Sequence, residues 1–193
     1  MNNEFHFRSG SAANLACDGA YLDCIDRVSR APDGQGIFWF DGAWLAAHGA
    51  TLILAEQHDN DGQARFAGGL YLTEPEPGAI YIGGAVVDTP YRGHGLLKQL
   101  VARGRLQAGE VAATAVVRVY PDGRVNLPSL LSLAVTGVST VVGLGRGTFQ
   151  NSPYDRHLKP SLEADGRTFR YLTLTSGASL DASRAVVAGV SNR

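Results

Sequence analysis

The sequence predicts an α+β fold, and three observations predict it. Three β-type runs follow one another between residues 51 and 87, separated by segments rich in Asp, Asn, Pro and Gly. The third run passes into the turn Arg92-Gly93-His94-Gly95, where a helical pattern opens. A further apolar run, Ala112–Tyr120, then resumes the sheet.

The elements follow in order. Glu4–Arg8 reads as a short first strand. Ser11 can cap a helix running to about Arg30. Leu15, Leu22, Ile25 and Val28 give it one apolar face, Gly19 weakens it, and Ala31-Pro32-Asp33-Gly34 ends it. Residues 36–49 carry Phe38, Trp39, Phe40 and Trp44, a cluster that reads as core or helix–helix contact, with ligand contact as the alternative. Thr51–Ala55, Arg65–Thr73 and Ala79–Val87 form an antiparallel meander. Its turns are His58-Asp59-Asn60-Asp61-Gly62 and Glu74-Pro75-Glu76-Pro77-Gly78.

A helix over about Gly93–Gln107 presents Leu96, Leu97, Leu100, Val101 and Leu106 on one face, with Lys98, Gln99, Arg103 and Gln107 off it. Ala112–Tyr120 is apolar enough to be a central strand. Asn126 can cap a helix to about Thr136, with Gly137 as its stop. Val138–Leu144 and Thr168–Thr175 close the sheet, and residues 176–193 read as a poorly ordered tail of small residues.

With 193 residues and 45% apolar content, residues 1–193 suit one ordinary globular domain. The net charge of −1 provides neither the basic stripe of a nucleic-acid binder nor the polybasic run of a membrane-surface protein. No apolar stretch is long enough to span a bilayer, and Met1-Asn2-Asn3-Glu4 lacks the basic start and apolar core of a signal peptide. Cys17 and Cys24 lie seven residues apart in the expected helix, roughly 10 Å along its axis, too far for a disulfide. Reduced thiols in a cytoplasmic protein are the expectation. The histidines, at 6, 48, 58, 94 and 157, lack metal-ligand spacing, so no metal is expected.

The stretch Val86–Leu100 carries the chemistry. A strand, a glycine turn and a helix start make an anion site, because the first helical amides have no backbone partner and carry partial positive charge. Glycines let a phosphate approach the backbone. The spacing excludes a Rossmann fingerprint, whose last place would fall on Lys98, and a P-loop, whose Lys-Ser/Thr ending is absent.

What remains resembles the coenzyme A loop of the GNAT acyltransferase superfamily: Arg or Gln, two residues, Gly, one residue, then Gly or Ala. Arg92 and Gly95 fit, Gly93 is a common filler, and Tyr91 stands where the family often has an aromatic. Leu97 replaces the final Gly or Ala, and Thr89 replaces a frequent Pro. The order of elements over roughly residues 5–175 is also similar to the family's. The resemblance implies a GNAT-like mixed, mostly antiparallel sheet flanked by helices. It also implies transfer of an acetyl or other short acyl group from acetyl-CoA or another acyl-CoA to an amine.

The resemblance further implies roles for particular residues. Backbone amides of Arg92, Gly93, His94, Gly95, Leu96 and Leu97 would hold the pyrophosphate, with the Arg92 side chain adding charge or bracing the loop. His94 would face solvent or phosphate. Pantetheine would run beside Ala85, Val86 and Val87, and a main-chain N–H there would polarise the thioester carbonyl. Many members place the acid, a Tyr, on the helix after the next strand, but Asn126–Gly137 contains none. Tyr154 and Tyr120 are the substitutes, each also readable as an ordinary packed tyrosine.

Asp88, Glu56 and Glu74 sit at strand ends as candidates for base or acceptor contact, and Asp88 reads equally well as a cap. Gly143-Leu144-Gly145-Arg146-Gly147 reads as a loose hairpin rim, or else a second phosphate site. The loop over 148–167 is either an acceptor lid, with Arg156 holding a carboxylate, or a surface excursion. The expected partner is a small-molecule amine, and a homodimer stays open. The rival readings are a non-catalytic acyl-CoA-binding protein and a protein-modifying acetyltransferase.

Overall fold

Among the described residues, seven strands form one sheet in the order β1-β2-β3-β4-β5-β7-β6. The computed structural model describes residues 4–15, 19–30, 42–76, 78–119, 125–147 and 169–176. The strands are β1 (His6–Ser11), β2 (Thr51–His58), β3 (Ala64–Glu76), β4 (Ala79–Val87), β5 (Ala112–Val119), β6 (Thr140–Gly147) and β7 (Phe169–Thr175). The helices are α1 (Ala12–Leu15), α2 (Gly19–Arg30), α3 (Gly42–Ala47), α4 (Leu96–Ala108) and α5 (Leu127–Ala134). Among the described residues every strand pairing is antiparallel except β4 with β5. The expected mixed, mostly antiparallel sheet with flanking helices is therefore what forms. No helix among the described residues is long and apolar enough to cross a membrane.

Strand alternation divides the core into two layers. Leu52, Leu54, Tyr71 and Tyr81 face Tyr21, Cys24, Ile25 and Val28 of α2 and Leu45 of α3. Ile53, Ala55, Leu70, Leu72 and Ile82 face Leu96, Leu100 and Val101 of α4 and Leu133 of α5. The apolar face of α2 thus follows the 21/24/25/28 spacing; Leu22 is only half-buried. Ser11 Oγ accepts the Ala13 N–H at 3.2 Å, which is the cap expected for the first helix. Asn126 Oδ1 likewise caps α5 by accepting the Ser129 N–H at 3.3 Å.

Some boundaries move. The first strand begins later than Glu4 and runs to Ser11, where it pairs Thr51. The cofactor helix begins at Leu96 rather than Gly93, because Gly93 (φ 83°) and Gly95 (φ 73°) hold left-handed conformations that a helix excludes. Leu106 is 80% exposed, off the buried stripe of Leu96, Leu100, Gly104 and Ala108. It lies six residues past Leu100, rotated about 120° from it around the axis at 3.6 residues per turn. Gly143–Gly147 is part of the β6 ladder with β7, not a loose rim. The described part of the aromatic cluster, Trp44, is half-buried in core, its ring edge-on to Tyr71 at 6.0 Å. Cys17, residues 31–34, Phe38, Trp39, Phe40, the 148–167 loop and the tail after Ser176 lie outside the described residues.

Candidate active site

The site begins with a seam in the sheet. β4 and β5 pair through Ala79–Ala112, Ile80–Ala113 and Tyr81–Thr114. Past Tyr81 no β4–β5 pairing continues among the described residues, while β5 goes on pairing β7 as far as Val119. Ile82–Val87 therefore presents backbone on the side that β5 has left. An extended chain carrying amides could pair with it.

That stretch is also bulged. Gly69 pairs Val86 and Tyr71 pairs Gly83, so Gly84 and Ala85 together oppose Leu70. Gly84 takes φ 55°. The bulge reverses the alternation: Tyr81 and Val86 pack toward α2, whereas Ala85 and Val87 pack toward α4. The Tyr21 hydroxyl donates to the Gly84 carbonyl at 2.8 Å. Burial raises the Tyr21 phenol well above its ordinary pKa, so it remains a donor.

Beyond Val87 the chain turns through a 3₁₀ segment, Thr89–Tyr91. The Asp88 carboxylate accepts the Thr89 N–H at 2.7 Å and takes the Arg27 guanidinium at 2.7 Å. Its own N–H donates to Ala67 O at 2.9 Å. Asp88 therefore clasps the start of the loop to α2. The Arg92 amide donates to Thr89 O at 3.3 Å, within the turn. Arg92 Nε donates to Val87 O at 3.2 Å, the bracing alternative for its side chain.

Gly95 caps α4 without any side-chain bond, and the first amides of a helix have no backbone partner within it. A Cβ built on Gly93 or Gly95 would meet nothing within 4 Å, so the surface there is open. Backbone donors, a helix dipole and open space suit a pyrophosphate. His94 is exposed, Leu96 is buried and Leu97 is half-buried in the α4 layer, so the last two offer backbone rather than side chains.

The expected carboxylates are not brought together. Glu56 Oε1 pairs Arg8 Nε at 2.8 Å across β1 and β2. Glu74 Oε1 accepts the Gly78 N–H at 2.9 Å in the β3–β4 hairpin, at the end of β4 remote from the loop. Eight strand steps separate those ends, about 26 Å. Tyr120, Tyr154 and Arg156 lie outside the described residues.

Sequence reading missed Tyr21, Arg27 and the bulge. The Gly83-Gly84 doublet inside a strand was the available signal, since glycine within a strand marks a bulge or a close approach. Cys24 packs beneath this layer, 1% exposed, its thiol pushed up to about 11 by burial and then by the Asp88 charge. It is a neutral thiol near pH 7 and a poor nucleophile.

Asp88→Ala should destabilise the protein by about 1–2 kcal/mol. Most of this is the lost cap; Arg27 is 60% exposed, so the ion pair adds little. Denaturant unfolding reads the change, and unaltered stability would mean that the clasp does not order the loop.

No protein-family model matches the sequence, and no curated protein sequence matches it. Solved structures do match the fold. An acyl-CoA N-acyltransferase from Pseudomonas aeruginosa superposes with a TM-score of 0.56 at 16% identity, covering 90% of this chain and 100% of that one. An IAA acetyltransferase from Bacillus cereus gives 0.55 at 13% identity, covering 89% and 98%. Arabidopsis thaliana NAA60, in complex with a bisubstrate analogue, gives 0.56 at 12% identity, covering 89% and 97%. The chain has the GNAT fold.

Proposed function

We propose that the protein transfers an acetyl or other short acyl group from acyl-CoA to an amine of a small metabolite. One observation carries this reading: the β4–β5 seam opens toward a glycine loop whose helix start has no side-chain cap. A phosphate at the loop and an extended amide-bearing arm along β4 would bring a thioester to the bulge. The GNAT fold supports the same reading.

In the proposed reaction a neutral amine attacks the thioester carbonyl. The C–N bond forms, the C–S bond breaks, the amine loses a proton and the thiolate gains one. Backbone amides from Gly93 onward bind the phosphates, and a main-chain N–H near Ala85 stabilises the developing oxyanion. Asp88 positions the loop in this scheme, because its carboxylate is engaged by Thr89 and Arg27. Tyr154, with Tyr120 as the alternative, is proposed as the acid, and Arg156 as the clamp for an acidic acceptor.

Turnover of acetyl-CoA with a library of amines, followed by release of free thiol, tests the activity. Tyr154→Phe should lower turnover by about 10²-fold and leave acetyl-CoA affinity nearly intact. Unchanged turnover would transfer the role to Tyr120 or water. The described helix α5, Leu127–Ala134, has no tyrosine, which favours the non-catalytic binder as second reading. Tight acetyl-CoA binding without turnover on any amine or protein would establish it.

A further inference from the structure

We infer that Tyr21 is a positioning residue whose hydroxyl aims the Ala85 N–H at the acyl carbonyl; this rests on the acyl-CoA reading above. The hydroxyl donates to Gly84 O at 2.8 Å. A trans peptide is planar, with its C=O and N–H pointing in opposite directions. Fixing the Gly84 carbonyl toward α2 therefore turns the Ala85 N–H away from α2. That peptide lies past the last β4–β5 pair and in the β3–β4 bulge, between the Tyr71–Gly83 and Gly69–Val86 pairs.

Three details make Tyr21 suited to this work. Gly84 at φ 55° admits the turned peptide without the cost that a Cβ would bring. The Tyr21 ring is fully buried and pressed against Gly69, where a Cβ would sit 2.9 Å from it. The ring cannot swing without displacing β3. A bond accepted by the carbonyl also polarises its amide, making the N–H a stronger donor.

Acetonyl-coenzyme A, a ketone that cannot transfer its acyl group, provides a probe independent of the acceptor. With an isotope-labelled carbonyl, its infrared C=O stretch should move to lower frequency on binding the wild-type protein. Tyr21→Phe keeps the ring and should bind the probe with unchanged affinity while losing most of that movement. With acetyl-CoA and an amine, kcat should fall about tenfold, less than for a direct oxyanion donor, and KM for acetyl-CoA should stay constant. A wild-type band in Tyr21→Phe overturns the inference and leaves the acyl-CoA reading intact. Absence of binding to the wild-type protein overturns both. Where Tyr21→Phe does not fold, a ring-fluorinated tyrosine at position 21, a stronger donor, should move the band further down. An unmoved band there also overturns it.

Discussion

Acetyl-CoA should raise the melting temperature of the wild-type protein and leave that of Gly95→Glu unchanged. A ligand bound only to the folded state stabilises it by about 2.7 kcal/mol at a hundred times its Kd. Gly95 stands at the start of α4 with φ 73° and open space around it. A glutamate there places negative charge where the first helical amides would meet a pyrophosphate. It also strains the backbone by roughly 1–2 kcal/mol. Gly95→Ala isolates that second effect: its melting temperature should fall, but acetyl-CoA should still raise it. An equal rise in Gly95→Glu would place the phosphate elsewhere.

Gly83→Ala should destabilise the protein by about 3 kcal/mol or more, at the upper end of overpacking costs. Its Cβ would lie 2.3 Å from Tyr71 Cζ and 2.6 Å from Tyr81 Cε1. Both rings are buried, at 1% and 2% exposure, so neither can swing into solvent. Trp44 packs edge-on against Tyr71 and restricts it further. Strain that does not unfold the protein should be transmitted along β4 to the bulge and lower turnover as well. Chemical denaturation measures the first effect, and stability within about 1 kcal/mol of wild type would contradict the packing described here.

Local signals were legible and non-local ones were not. The Ala79–Val87 strand has the boundaries that its flanking turns dictate, and Asn126 caps as its side chain allows. The Arg92–Gly95 motif located the loop, but not the two left-handed glycines that delay the helix to Leu96. The seam depends on how far β4 and β5 stay together, and the bulge on register with β3; neither is encoded in a short window. The same holds for Arg27, which reaches Asp88 from sixty-one residues away in sequence. Carboxylates chosen for standing at strand ends met nearer partners instead: Glu56 found Arg8, and Glu74 found the Gly78 amide.

Three rungs are a slender junction for a seven-stranded sheet. β1–β4 on one side and β5–β7 on the other are each knitted by longer ladders. The junction should accordingly be the line along which the sheet opens first. Cooperative opening units follow dense hydrogen bonding, so the two halves should exchange their amide hydrogens as separate foldons, with the junction as the boundary between them. A ligand lying in that line would act as a suture, and the entropy lost in closing it would set part of the affinity. The place where the sheet is weakest is then also the place where occupancy changes its dynamics most.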